Sequence, residues 1–172
     1  MAIQPKAGTA VASADVRLAE LGLELPQPPA ALGSYTPVHI VGDLLYTSGV
    51  LPVVNGELRV AGVVGGDLSI GEGTEAARLC ALNILALVRA NTGSLDAVRH
   101  MVQVVGFVRS APAFALQPRV LNGASDLFVE VFGEQGRHTR TALGTSELPM
   151  GAAVEISAVV RIFPDMVRPA KG

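Results

Sequence analysis

Apolar and polar residues alternate over residues 152–163, near the end of the chain. The apolar positions of this alternation are Val154, Ile156, Ala158, Val160 and Ile162. Because side chains point alternately to the two faces of a β-strand, this spacing predicts a strand with one smooth apolar face. Glu155 lies on the other, mixed face together with Val159 and Phe163. We expect that face to meet a second subunit rather than solvent.

Other segments also have the composition of strands. Two short strands are predicted at 38–41 and 44–48, joined by a Gly-Asp turn. Residues 98–108 are almost continuously apolar, which predicts a strand covered on both faces, with Gly106 at a bulge. A further strand is predicted at 139–145.

Helical spacing of apolar residues marks two long segments. Ser69 and Glu72 have the spacing of a capping box, and the helix that follows is predicted to run to about Asn91, with Gly93 as its stop. A second helix is predicted over 115–132, with a proline near its start.

The first part of the chain is predicted to be an appendage packed on the main body. Residues 1–14 are expected to form a flexible tail, and residues 26–29 a proline-rich connector. Between them, a short helix over 15–23 is predicted. Its expected apolar side consists of Val16, Ala19 and Leu23.

Length and composition favour one main domain. The chain has 172 residues, 49% of them hydrophobic and 16% charged. A chain of this length hides roughly 70% of its unfolded surface. We expect a domain over 33–163, preceded by the segment 1–32 and followed by a tail at 164–172. An apolar excess of this kind often reflects surface buried between subunits, so we expect a homo-oligomer.

Charge and lysine usage disfavour several function classes. The net charge is −2 and there is no basic block, so nucleic acid is an unexpected partner. The two lysines, Lys6 and Lys171, lie near the chain ends. No core lysine can therefore form a Schiff base, and the glycine-rich loop that binds phosphates is absent.

The single cysteine, Cys80, excludes an intrachain disulfide and favours the cytoplasm. It is expected to be a small core residue. The longest apolar stretch, 79–88, is well short of the ~20 residues of a membrane span, so we expect no membrane segment. The three histidines share no metal-ligand spacing with one another or with Cys80, so no metal site is expected.

Arg140 and Glu155 are the most informative pair for function. They lie 15 positions apart, each in an otherwise apolar strand-like segment. A guanidinium in such a setting is suited to binding a carboxylate through two hydrogen bonds, and a partly buried glutamate can transfer protons near neutral pH. The expected ligand is a small organic acid. The alternative is a structural ion pair, formed between these two residues or with other partners.

Several short motifs, in this order and spacing, resemble those of the RidA family, also called the YjgF or L-PSP family of reactive-intermediate deaminases. The resemblance covers about residues 33–162. Its motifs are Gly33-Ser34-Tyr35, Tyr46-Thr47-Ser48-Gly49, Asn122 before Phe128, Arg140, Leu148-Pro149 and Val154-Glu155.

The resemblance implies an α+β subunit like that of chorismate mutase. Such a subunit has a mixed, mainly antiparallel sheet with two main helices on one face, and it assembles into a trimer with ligand clefts between subunits. The implied activity is hydrolysis of 2-imino or 2-enamino acids to 2-oxo acids and ammonia, without metal or organic cofactor. By the same resemblance, Arg140 holds the carboxylate and Glu155 lies near the hydrolytic water.

The resemblance assigns the remaining cleft residues as well. Tyr35, Ser48 and Asn122 correspond to residues that position substrate or water, and Gly49 and Ala142 to residues that contact substrate. Each has a plainer alternative: Tyr35 can pack at an interface, Ser48 can end a strand, and Asn122 can cap a helix.

Departures from the family pattern leave two alternatives to the deaminase open. Ala142 stands where the family commonly has Cys or Thr, and Ser34 where it commonly has Pro. These departures suggest an alternative function, that of a trimeric protein that binds or senses small carboxylates without turnover. A ribonuclease or translation-inhibitor role is the third possibility, although the negative net charge disfavours the binding of RNA.

Overall fold

The computed structural model describes residues 13–29 and 33–166. The predicted tail at 1–14 therefore lies outside the described residues except for its last two, as does the part of the C-terminal tail beyond 166. The helices and strands are α1 (Ala14–Glu20), β1 (Val38–Val41), β2 (Leu44–Thr47), β3 (Val53–Val54), β4 (Glu57–Leu58), α2 (Ile70–Thr92), β5 (Val98–Arg109), α3 (Gln117–Phe132), β6 (Thr139–Thr145) and β7 (Val154–Ile162).

Five of the strands form one sheet in the order β1-β2-β7-β5-β6. Every neighbouring pair is antiparallel except β5 and β6, which are parallel. The long helices α2 and α3 pack on one face of this sheet, and β3 and β4 form a separate small hairpin. The α+β class, with a mixed, mainly antiparallel sheet and two main helices on one face, is confirmed.

The first long helix begins and ends as its sequence predicts. The Ser69 hydroxyl accepts a hydrogen bond from the Glu72 N–H, and the Glu72 carboxylate accepts from the Ser69 N–H. Gly93 ends α2 in the left-handed conformation, with φ of 95°. These interactions satisfy backbone groups that a helix end otherwise leaves unpaired.

The predicted alternation of β7 is confirmed, because Val154 and every second residue to Ile162 are buried while Glu155 is half-buried. The bulge prediction in β5 is wrong. The register of β5 against β7 shifts between Val98 and His100 and again between Met101 and Gln103, but not at Gly106. Gly106 instead lies beneath α3, where a Cβ atom would overlap the Leu121 side chain.

One face of the sheet is not covered by any other part of the described chain. The prediction that β5 is covered on both faces is therefore also wrong for the single subunit. Large apolar side chains on this open face are partly exposed: Tyr46 41%, Phe107 37% and Leu143 48%. Continuous apolar sequence in β5 therefore reflects a second face that no part of the described chain covers.

The short helix α1 packs on α3 and on the turn before β5, but with a different face from the one predicted. Its buried residues are Ala14 and Leu18, whereas Val16 is exposed. The face is set by two reciprocal contacts. The Ala14 N–H donates to the Asp96 carboxylate (2.6 Å), and the Leu95 N–H donates to the Asp15 carboxylate (3.1 Å).

None of the described helices is long and apolar enough to cross a bilayer.

The two long helices touch most closely at Gly123 of α3, where a Cβ atom would overlap the Thr74 carbonyl oxygen of α2. Since backbone cannot yield as a side-chain tip can, Gly123→Ala is expected to lower the free energy of unfolding by at least about 2 kcal/mol. Urea unfolding measures this change. Gly71→Ala, in the open first turn of α2, is the matched control, and an equal effect of both substitutions would contradict the close contact.

Candidate functional site

Arg140 lies on β6, the edge strand of the sheet, and its side chain is half-buried against α3. Its Nη1 donates to the Asn122 Oδ1 (2.9 Å) and to the Ser125 Oγ (3.0 Å). Asn122 and Ser125 are three residues apart, so they lie on one side of α3. Among the described residues, Nε and Nη2 have no hydrogen-bond partner and the guanidinium forms no ion pair. It is thus held in place with a donor edge available to an anion.

Two further residues of this arrangement, Ser125 and His138, were not predicted as site residues. The His138 Nδ1 lies 2.7 Å from the Gly136 carbonyl oxygen, which requires it to be the donor. In the neutral ring, Nε2 then accepts from the Ser125 hydroxyl (3.0 Å), whose oxygen accepts from Arg140. Burial lowers the pKa of His138, with a smaller contribution from the Arg140 charge, and both favour the neutral ring. His138 therefore orients the hydroxyl that holds Arg140.

Glu155 lies in a separate cleft with a volume of about 750 Å³. Its lining includes four of the predicted site residues: Tyr35, Ser48, Gly49 and Glu155. Burial raises the pKa of the Glu155 carboxyl. The carboxylate accepts no hydrogen bond from the described residues. A carboxyl of this kind is suited to exchanging protons with a bound water nearer neutral pH than an exposed glutamate.

Gly49 lets the Glu155 carboxylate take its position, because a Cβ atom on residue 49 would overlap the carboxylate oxygen Oε1. The segment is fixed by hydrogen bonds on either side. The Ser48 N–H donates to the Pro37 carbonyl (2.9 Å), and the Val50 N–H donates to the Ile156 carbonyl (2.8 Å). The backbone at Gly49 therefore cannot easily move away.

Gly49→Ala is expected to displace the Glu155 carboxylate. In any reaction that uses this carboxylate to transfer protons, kcat/KM should then fall by about tenfold to a hundredfold, since misplacement near 1 Å has effects of that size. Steady-state kinetics measures the loss. Gly71→Ala again serves as control. Unchanged activity in Gly49→Ala would show that the position of the carboxylate is unimportant.

Of the other predicted residues, Ser48 donates its hydroxyl hydrogen to the Thr36 carbonyl (2.7 Å), so its oxygen retains acceptor capacity toward the cleft. Ala142 lies two residues after Arg140 on the same side of β6 and packs against the core. Asn122 is an exposed residue in the middle of α3, so the helix-cap alternative is wrong. Cys80 is fully buried, and burial raises the pKa of its thiol, which is the expected behaviour of a core cysteine.

Arg140 and Glu155 lie on opposite faces of the sheet. Arg140 is aligned with the buried Val104, whereas Glu155 is aligned with Phe107 on the open face. The two positions are three residues apart along β5 and two strands apart across the sheet. From ordinary strand dimensions this separation is about 10 Å in each direction.

Two consequences follow from this separation. The alternative of an ion pair between Arg140 and Glu155 is wrong for the chain by itself, as no such pair forms. One small molecule also cannot touch both side chains of the same chain.

The described residues contain no cluster of three or more His, Cys, Asp or Glu side chains able to hold a metal ion.

Comparison with known proteins gives a consistent result. The sequence profile of the YjgF/chorismate mutase-like endoribonuclease family matches residues 15–162. Protein TCP17 of Trypanosoma cruzi is 42% identical over 146 residues, which are 84% of this chain and 91% of that protein. A RutC family protein of Sinorhizobium fredii is 31% identical over 136 residues, or 78% of this chain and 91% of that protein.

A solved structure is similar as well. The crystal structure of protein Atu1372 from Agrobacterium tumefaciens has a TM-score of 0.81 and 45% identity, and the match covers 88% of this chain and 94% of that one. The family resemblance of the short motifs and the fold that it implied are confirmed. The chain belongs to the YjgF/chorismate mutase-like family, which is the family also called RidA.

Proposed function

We propose that this protein is a cofactor-independent deaminase that hydrolyses 2-imino and 2-enamino acids to 2-oxo acids and ammonia. One observation carries the proposal: the chain presents two complementary half-sites. Arg140 offers a fixed guanidinium edge suited to a carboxylate, and Glu155 offers a carboxyl with raised pKa beside an open cleft. A 2-imino acid is a substrate that needs both groups.

The proposal requires that the two half-sites come from different subunits. Within one chain they lie on opposite faces of the sheet. Arg140 is on an edge strand, and the partly exposed Tyr46, Phe107 and Leu143 lie on the same open face of the sheet as Glu155. An apolar surface of this kind is typical of subunit contacts. We propose a homotrimer in which Arg140 of one subunit faces the Glu155 cleft of the next.

In the proposed reaction, Arg140 holds the substrate carboxylate through two N–H donors. Glu155 accepts a proton from the water whose oxygen attacks the imine carbon, and the C=N electron pair moves to nitrogen. Glu155 then passes the proton to that nitrogen. Transfer of the second water proton to nitrogen accompanies cleavage of the C–N bond. Ammonia leaves, and the water oxygen becomes the carbonyl of the 2-oxo acid.

This division of labour suits the site because imines are intrinsically reactive. The protein must mainly orient the substrate, place a water and exchange protons. Ser48 and Tyr35 line the cleft beside Glu155, where they are placed to help position the water or the substrate. Asn122 acts one step further away, by holding Arg140. With one buried cysteine, the protein is proposed to act in the reducing cytoplasm.

A coupled assay tests the proposal. An L-amino acid oxidase generates 2-imino acids in the presence of semicarbazide, which traps them as semicarbazones. Added protein is expected to compete with the trap, so that less semicarbazone and more free 2-oxo acid form. Semicarbazone yields that do not change with protein concentration would overturn the deaminase.

The alternative is a protein that binds small carboxylates without turning them over. Ala142 favours it, because a methyl group next to Arg140 supplies no donor or acceptor where the family commonly has Cys or Thr. Calorimetry with 2-oxo acids separates the two roles. Tight binding together with a negative trapping assay would favour the binding protein.

A further inference from the structure

In the single subunit, the Glu155 cleft is larger than a pyruvate-sized molecule requires. Its volume of about 750 Å³ falls within the range of pockets that hold drug-sized ligands, roughly 300–1,000 Å³. The polar groups suited to the proposed reaction, Ser48 and Glu155, account for a small part of the wall. Most of the remaining wall is apolar. We call this part the apolar annex, which is formed by Pro28, Pro29, Leu51, Val53, Leu87 and Met150.

The floor and one side of the annex are rigid. Leu87 belongs to α2 and is almost fully buried, so the floor is continuous with the core. Asn83, also of α2 and buried, donates through its Nδ2 to the Leu51 carbonyl (3.1 Å) and to the Val53 carbonyl (2.8 Å). A buried amide that donates to two carbonyls of one loop restrains that loop, because displacing either carbonyl leaves a buried N–H donor unpaired. The wall at 51–53 is therefore preformed.

Another part of the cleft wall comes from the proline-rich connector, of which Gln27, Pro28 and Pro29 line the cleft. The connector follows α1, which is anchored by the contacts of Asp15 and Asp96 described above. Leu23 and Leu25 then pack against the core. Proline has a fixed φ, so Pro28 and Pro29 form a stiff wall with no N–H donors. The segment before the main domain thus closes one side of the cleft with apolar surface.

We infer that the annex binds the side chain of the substrate, and that the preferred 2-imino acids carry a large apolar side chain of leucine or phenylalanine size. The inference rests on the proposed function and deepens it. With the carboxylate on the partner subunit's Arg140 and the imine carbon near Glu155, a methyl side chain would leave the annex to water. A larger apolar side chain would displace that water, which is favourable in a preformed apolar pocket.

The test compares imines generated from leucine and from alanine, using the full chain in the trapping assay. The leucine-derived imine is expected to have the higher kcat/KM by at least about tenfold, since a single methylene in an apolar pocket already discriminates by about that much. Val53→Phe fills the annex. It is expected to remove most of this preference by lowering the rate with the leucine-derived imine much more than the rate with the alanine-derived imine.

Val16→Phe, on the exposed side of α1 outside the cleft, is the matched control and should keep the preference. Thermal unfolding checks that both variants fold. Equal rates for the two imines, or an equal loss of both in Val53→Phe, would overturn the annex while leaving the deaminase intact.

If no imine is turned over, the proposed function fails and binding decides the annex separately. Calorimetry with 4-methyl-2-oxopentanoate and pyruvate is then the measurement. Tighter binding of the larger acid that Val53→Phe removes would support the annex. Equal affinities, or no binding of either acid, would overturn it.

Discussion

Arg140→Ala is expected to lower kcat/KM for 2-imino acids by about 10²- to 10⁴-fold, because two charge-assisted hydrogen bonds, each roughly 1.5–3 kcal/mol, are lost. The loss should be nearly the same for substrates with small and large side chains, since in the proposed site the guanidinium contacts the carboxylate that all of them share. Arg140→Lys keeps the charge but not the paired donors, so it should recover only part of the activity. Steady-state kinetics in the trapping assay measures both variants.

Arg137→Ala is the matched control. Arg137 lies three residues earlier, is exposed, and pairs with Glu134 at 3.0 Å. An exposed ion pair of this kind contributes little to stability, so neither folding nor activity should change noticeably. Similar activity losses in Arg137→Ala and Arg140→Ala would mean that general charge, and not a specific carboxylate contact, is what matters.

Glu155→Gln is expected to lower kcat by about 10²- to 10⁴-fold, the usual range for loss of a general base, with a much smaller change in KM. The amide keeps the shape of the side chain but cannot accept a proton. Glu134→Gln, which removes the same charge at an exposed glutamate, is the control. A Glu155→Gln protein with near-normal kcat would remove Glu155 from the chemistry.

The pH profile gives an independent measure of the same group. In the proposed mechanism the ionised form of Glu155 is the active one. We therefore expect kcat of the wild-type protein to rise with pH through a Glu155 pKa that burial raises above its ordinary value. Glu155→Gln should lack this ascending limb.

The raised pKa of Glu155 also affects stability, but in the opposite direction, because the free energy of unfolding decreases as pH rises. A carboxyl whose folded pKa is raised loses its stabilising contribution as pH rises through that pKa. Glu155→Gln should therefore be no less stable than the wild type at neutral pH.

The elements that carry their own local signals could be predicted from sequence. The capping box at Ser69 and Glu72, the stop at Gly93 and the alternation of β7 are each determined by neighbouring residues. The two irregularities of β5 could not be placed, because their positions depend on the register of β5 against β7. Gly106 is instead required by the close approach of Leu121, which is distant in sequence.

The candidate site shows the same division. Arg140 and Glu155 stand out because charged residues in apolar strands are unusual, and the family resemblance added Tyr35, Ser48 and Asn122. The roles of Ser125 and His138 depend on α3 lying beside β6, which no local pattern reveals. The opposite orientation of Arg140 and Glu155 likewise follows from strand order and register.

Mixing the two inactive variants tests the central claim most directly, namely that Arg140 and Glu155 of different subunits form one site. Arg140→Ala and Glu155→Gln chains are co-expressed with different tags, and assemblies carrying both tags are purified. Among randomly mixed assemblies, about one quarter of the intersubunit sites combine an intact Arg140 with an intact Glu155. Activity should therefore return to about a quarter of wild type in the unselected mixture, and higher in the doubly tagged fraction. Doubly tagged assemblies as inactive as either parent would contradict the shared site.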